Sequence, residues 1–296
     1  MGKHFTPVVG ALRTILPLCL LCTCLSLRAQ PVTGHASGGG QLDPNDSTRS
    51  SYTPLPVGPA GGGGTAINPN DYGMCGVQSL AGAFDRSTVA QIVVVSGYYH
   101  VYRRWPASQI DGPTVVWTCV RFSQFTGVPP SVDAGTFLPP TKVTAASGVL
   151  VKDNSVGGFT QACVWAGLAG SLSATPAGEA GYVSAQYDGE TGNTLVWAQS
   201  TETTTLSTYA FCNTYKVSPP FWRYQPNSTP SLGTGPTFSP ISLGISPDHY
   251  WCYMDGVGTT IGGTFTSAGL SIGPTSYNQD VGKGSWMWYN CLPFSQ

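Results

Sequence analysis

The chain has 296 residues, only 9% of them charged, with 38 glycines, 24 prolines and a formal net charge of −1. Setting aside Lys3, Arg13 and Arg28 leaves ten cations against 14 acids, a net charge of −4. This balance argues against nucleic acid, which requires a basic face to displace phosphate counterions, and against attraction to anionic lipid.

Residues 1–30 read as a secretory signal. Lys3, His4 and Arg13 precede an apolar run from Thr14 to Leu27, and Leu27-Arg28-Ala29 places a small residue at the cut. Cys19, Cys22 and Cys24 leave with it, so nine cysteines become six. An exported chain meets an oxidising compartment, where paired cysteines persist as disulfides. Among these six no Cys-x-x-Cys pair is present, which weighs against a metal site. The expected location is extracellular or at the cell surface, with no membrane insertion once the signal is removed.

From Pro31 to Asp71 nothing is periodic, and Gly38–Gly40, Pro54, Pro56, Pro59 and Gly61–Gly64 alternate with Ser, Thr and Asn. Such composition buries little apolar surface, so the expectation for 31–71 is a disordered tether.

The six remaining cysteines alternate as openers (Cys75, Cys163, Cys252) and closers (Cys119, Cys212, Cys291). Each opener leads a small-and-apolar run, with Leu80, Leu168 and Val257 five residues on. Each closer is followed three residues later by an aromatic: Phe122, Tyr215 and Phe294. The openers are 88 and 89 residues apart, which reads as one module used three times. Six cysteines allow 15 connectivities. If each module closes on itself, the bonds are Cys75–Cys119, Cys163–Cys212 and Cys252–Cys291.

Module one, 72–127, carries a β-branched run at Val89–Val95, a tight turn at Gly97, a paired strand over Tyr98–Trp105 and a closing strand at Pro113–Val120. A Pro-rich connector, 128–158, leads to module two, 159–216, whose strands are expected at Tyr182–Tyr187, Thr194–Ala198 and Ser207–Cys212. A second connector, 217–247, precedes module three, 248–296. The expected fold is therefore all-β: three tandem disulfide-stapled modules, sandwich- or barrel-like, arranged as beads or packed about a pseudo-threefold axis. The cassette Cys-x4-Leu/Val with a following glycine and aromatic, closed later by a cysteine, resembles the Cys-bounded β-repeat of uncharacterised secreted bacterial proteins. That resemblance implies export and a β-fold and brings no activity with it.

Catalytic patterns are weak. Gly269-Leu-Ser-Ile-Gly273 matches a nucleophile elbow, but no histidine follows Ser271. His100 and His249 are the module histidines, and neither belongs to a recognisable metal motif. Asp188, Glu190 and Asn193 offer oxygens in a turn, for which a solvated hairpin loop is the simpler reading. No cofactor or metal is expected. Aromatic surface remains: Trp105, Trp197 and Trp286 in the modules, and Phe221, Trp222 and Tyr224 in the second connector, are the expected binding residues. The leading expectation is a non-catalytic secreted binding or adhesive protein engaging glycan or surface protein. The alternatives are a self-assembling subunit of a fibre, sheath or appendage, and a hydrolase with an unrecognised carboxylate site.

Overall fold

The structure is a computed structural model that describes residues 31–55, 74–120, 141–145, 147–152, 155–156, 159–172, 182–188, 193–199, 206–215, 241–259 and 263–294. The described residues are all-β. In chain order the strands are β1 (Val32–Ala36), β2 (Gln41–Asp43), β3 (Thr48–Pro54), β4 (Met74–Ala81), β5 (Val89–Val95), β6 (Tyr98–Pro106) and β7 (Thr114–Val120). They continue with β8 (Thr141–Ala145), β9 (Ser147–Lys152), β10 (Ser155–Val156), β11 (Phe159–Ala169), β12 (Tyr182–Asp188), β13 (Asn193–Gln199) and β14 (Leu206–Tyr215). The last are β15 (Ile241–Ser242), β16 (Tyr250–Thr259), β17 (Ser267–Ile272), β18 (Tyr277–Val281) and β19 (Ser285–Pro293).

Three antiparallel pairs carry the cysteines. Cys75 of β4 faces Cys119 of β7, and Cys252 of β16 faces Cys291 of β19; both pairs are disulfide-bonded. Cys163 of β11 stands opposite Cys212 of β14 in the same register. Each pair also breaks register at one place. Gln78, Ala166 and Asp255, each three residues past its opener, are the extra residues of three β-bulges. A bulge bends its strand and increases the local twist, and the same insertion stands at the same distance from the cysteine in each opener.

Two strands lie between each opener and its closer. The Ser96-Gly97 link between β5 and β6 has positive φ at both residues, as a two-residue hairpin turn requires, with Val95 opposite Tyr98. These hairpins pair with the next opener and not with their own: β5 joins β11, β12 joins β16, and β17 joins β4. The exchange closes on itself. Sheet 1 has the order β1-β7-β4-β17-β18-β15, sheet 2 the order β2-β3-β6-β5-β11-β14-β8 with β10 on β11, and sheet 3 the order β19-β16-β12-β13-β9.

One core results. A single buried cluster includes Val77, Trp117, Trp165, Leu168, Met254, Val257 and Met287, drawn from all three pairs. The openers meet behind it: a Cβ on Gly76 would lie 2.8 Å from Val164 Cγ1 and 3.2 Å from Tyr253 Cβ, the residues that follow the other two opener cysteines. The indole N–H of Trp251 donates to Thr118 Oγ1 at 3.1 Å, tying the third pair to the first. The arrangement is one packed body, not beads.

Two expectations are corrected here. Within 31–71, residues 32–54 hold β1, β2 and β3, while 56–73 lies outside the described residues. The connectors 128–158 and 217–247 likewise contain β8, β9, β10 and β15. All seven of these strands lie at or next to a sheet edge or as a short addition, where ladder hydrogen bonds hold a strand without a continuous apolar face.

Candidate functional site: a tyrosine row on the outer face of sheet 2

β6 alternates strictly. Tyr99, Val101, Arg103 and Trp105 point inward and are buried, whereas Tyr98, His100, Tyr102 and Arg104 lie on the outer face. Arg103 is tolerated inside because its guanidinium donates to three carbonyl oxygens, Ser37 O at 3.0 Å, Pro113 O at 3.0 Å and Gly38 O at 3.3 Å, and lies over the Trp105 ring. Trp105 in turn donates its indole N–H to Gln109 O. It is 0% exposed, so this expected binding residue is a core residue.

The outer face of sheet 2 carries one register row across six strands. Tyr52 of β3 stands opposite Tyr102 of β6, Tyr102 opposite Gln91 of β5, Gln91 opposite Gly167 of β11, Gly167 opposite Tyr209 of β14, and Tyr209 opposite Lys142 of β8. Residues opposite one another in register share a face, so this is a continuous outer stripe. Tyr52 and Tyr102 stack with ring centroids 4.6 Å apart, and Tyr52 is 58% exposed. Tyr209 lies three strand spacings beyond Tyr102, roughly 14 Å at about 4.8 Å per spacing. Between them the row has no side chain at Gly167. A Cβ there would fall 2.1 Å from Ala90 O, and the residue's φ of +133° independently requires glycine. The row is therefore an aromatic wall, a low floor, and a second aromatic wall.

Polar groups line the floor. Gln91 Oε1 is buried and accepts no hydrogen bond among the described residues. Arg104 donates Nε–H to Ser87 O at 3.2 Å, and its terminal N–H groups meet no acceptor among the described residues. Burial pushes the Tyr209 phenol up, with Arg104 opposing and Tyr102 adding to the shift. Burial likewise raises Tyr102, with Arg104 opposing and Tyr52 and Asp46 adding. The two phenols thus share one electrostatic environment with the Arg104 guanidinium. Asp46, the nearby acid, already accepts from the backbone N–H and the hydroxyl of Thr48.

The other sheets have the corresponding row, four residues past each opener. In sheet 3 it runs Val149, Trp197, Ser184, Gly256, Trp288. Trp197 holds the position of Tyr102, and half-buried Trp288 that of Tyr209. Trp286, an expected binding residue, is only 7% exposed. It packs edge-on against Trp288 at 4.1 Å and donates its N–H to Thr259 O at 2.7 Å, so it holds Trp288 in place and offers no face of its own. In sheet 1 the row reads His35, Val116, Ser79, Gly269, Asp280 and carries no aromatic. Phe221, Trp222 and Tyr224 lie outside the described residues.

Sequence reasoning placed the aromatic contacts on Trp105, Trp197 and Trp286 and on Phe221, Trp222 and Tyr224, and passed over Tyr52 and Tyr209. The signal for Tyr102 was present in the alternation of β6, but an arginine two residues before a tryptophan gave no sign of which face was inside. Elsewhere, Ser271 sits within β17, exposed, and not at a strand-to-helix turn. His100 Nδ1 lies 2.9 Å from Tyr98 O. Among the described residues, no three His, Cys, Asp or Glu side chains come together as metal ligands would, and no helix is long and apolar enough to cross a membrane. Comparison with protein families, curated proteins and solved structures yields no match.

Proposed function

We propose that this is a secreted, non-catalytic binding protein that holds glycan on the tyrosine row of sheet 2. The observation that carries the reading is the row itself: exposed Tyr52 stacked on half-buried Tyr102, with Tyr209 facing them across Gly167. Tyrosine supplies a rigid apolar face with a polar tip at low entropic cost, which suits a ring that is apolar on one side and hydroxylated at its edge. Export is supported by the leader-like residues 1–30 and by disulfides at Cys75–Cys119 and Cys252–Cys291, bonds that persist in oxidising compartments.

The test is a glycan array probed with residues 31–296, followed by calorimetry on any oligosaccharide retained. Tyr102→Ala and Tyr209→Ala are each expected to weaken binding roughly 3- to 10-fold, at about 0.5–1.5 kcal/mol per aromatic contact. Absence of any retained glycan, together with concentration-dependent assembly in light scattering, would move the assignment to a self-assembling extracellular subunit.

A further inference from the structure

The ligand class follows from the cation beside Tyr102. We infer that the sheet 2 row selects an acidic sugar, a uronic acid unit, with its carboxylate received by Arg104; this rests on the glycan-binding reading above. Arg104 stands two residues from Tyr102 along β6, on the same outer face, opposite Ser50 of β3 and Val89 of β5. One of its five N–H donors is committed to Ser87 O. That bond fixes the side chain and leaves the planar edge of terminal N–H groups for a ligand. A guanidinium edge of this kind matches a carboxylate bidentately. Asp46 acts on Tyr102, and its Oδ1 accepts from the backbone N–H and the hydroxyl of Thr48.

Charge complementarity is particular to this sheet. The position of Arg104 in sheet 3, two residues past Trp197, is Gln199, which stands opposite Tyr182 as Arg104 stands opposite Val89. In sheet 1, two residues past Asp280, it is Gly282. Aromatic residues on both sides of the row recur in sheet 3, but the cation does not. A pyranose ring resting between Tyr102 and Tyr209 over Gln91 and Gly167 would carry a ring substituent within reach of Arg104. In a uronic acid that substituent is the carboxylate.

The experiment uses hexasaccharides of galacturonate, mannuronate, guluronate and hyaluronan, each beside its fully methyl-esterified form, which keeps the ring and removes the charge. Binding to residues 31–296 is measured by calorimetry at two salt concentrations. At least one acid is expected to bind about tenfold or more tighter than its ester, with Arg104→Gln equalising the two. Arg104→Lys should retain part of the preference, because it keeps the charge and loses the bidentate fork. Tyr102→Ala should weaken acid and ester alike. Equal affinity of the intact protein for acid and ester overturns the uronate inference and leaves the stacking reading standing. Preference for a sulfated neutral hexasaccharide over every uronate overturns it in favour of a sulfate ester. Failure of the intact protein to bind any acidic, esterified or array glycan overturns both. Thermal unfolding of each variant identifies any that has lost its fold, and for such a variant Arg104→Lys supplies the reading.

Discussion

The outer rows of sheet 2 and sheet 1 stand at the same register on similar backbones and differ in what they present. In sheet 2 the glycine is on the opener, Gly167, and tyrosines stand on the strands beyond it. In sheet 1 the glycine is on the hairpin strand, Gly269, and the opener contributes Ser79, whose Cβ would lie 2.3 Å from a Cβ on Gly269. There the two strands close on each other and no aromatic flanks them. The same scaffold is used once to lock a junction and once to floor a trough, which separates what the repeated strand pairs supply, a rigid frame, from what individual side chains add.

The largest effect expected lies in the disulfides that staple sheets 1 and 3. Replacing Cys75 and Cys119, or Cys252 and Cys291, by Ser should each cost roughly 4 kcal/mol in the chain-entropy model, since the loops of 44 and 39 residues differ little on a logarithmic scale. Denaturant unfolding checks this, and a large disparity between the two would break the equivalence of the pairs.

The glycines then separate the sheets. Gly167→Ala forces a Cβ against the Ala90 carbonyl at a positive φ and should cost about 3 kcal/mol. Gly269→Ala has no positive φ but meets the Cβ, Oγ and Cα of Ser79, and should cost about 1–2 kcal/mol. Equal costs in thermal unfolding would show that sheet 2 tolerates a side chain on its floor.

A third contrast concerns the bulges. Gln78 and Ala166 do not titrate, but Asp255 is fully buried, its Oδ2 has no partner among the described residues, and burial pushes its carboxyl well above the usual range near 4. The folded state therefore binds this proton more tightly than the unfolded chain does. Stability from this group is fully present below the unfolded value and is lost as pH rises from there through the folded one. Asp255→Asn should flatten that part of the pH–stability profile and raise stability at neutral pH, as measured by urea midpoints across pH. An unchanged slope would mean that Asp255 keeps its charge in the fold.

The smallest expected effect is on stability at the site itself. Tyr52→Ala, on an exposed edge, should change the unfolding free energy by less than about 0.5 kcal/mol while weakening glycan binding.

The all-β class and the opposed cysteines were legible because short β-branched runs and a regular opener-to-closer interval leave few other readings. The strands of 31–55 were not. Thr48-Arg-Ser-Ser-Tyr-Thr-Pro54 has no apolar face, and it becomes a strand only because β6 offers it a ladder. Nor was the inside of β6 legible. Arg103 looks like a surface residue until Ser37, Gly38 and Pro113 bring three carbonyls to it, two of them from the stretch read as a tether. Trp105 and Trp286 misled for a related reason, since a large aromatic ring is as well suited to a core as to a contact surface.

The hairpin exchange also sets an order of assembly. Sheet 2 has its central ladders once β14 is in place, but β4, an early strand of the chain, waits for β17, with Ala81 pairing with Ser267. Contacts of such long range make folding slow and keep it reversible until late. The strand pair built first is thus among the last to gain its neighbours, and until β17 arrives its free edge is open to any strand, including β17 of another copy. Dilution during refolding should accordingly favour the closed ring over interlinked chains.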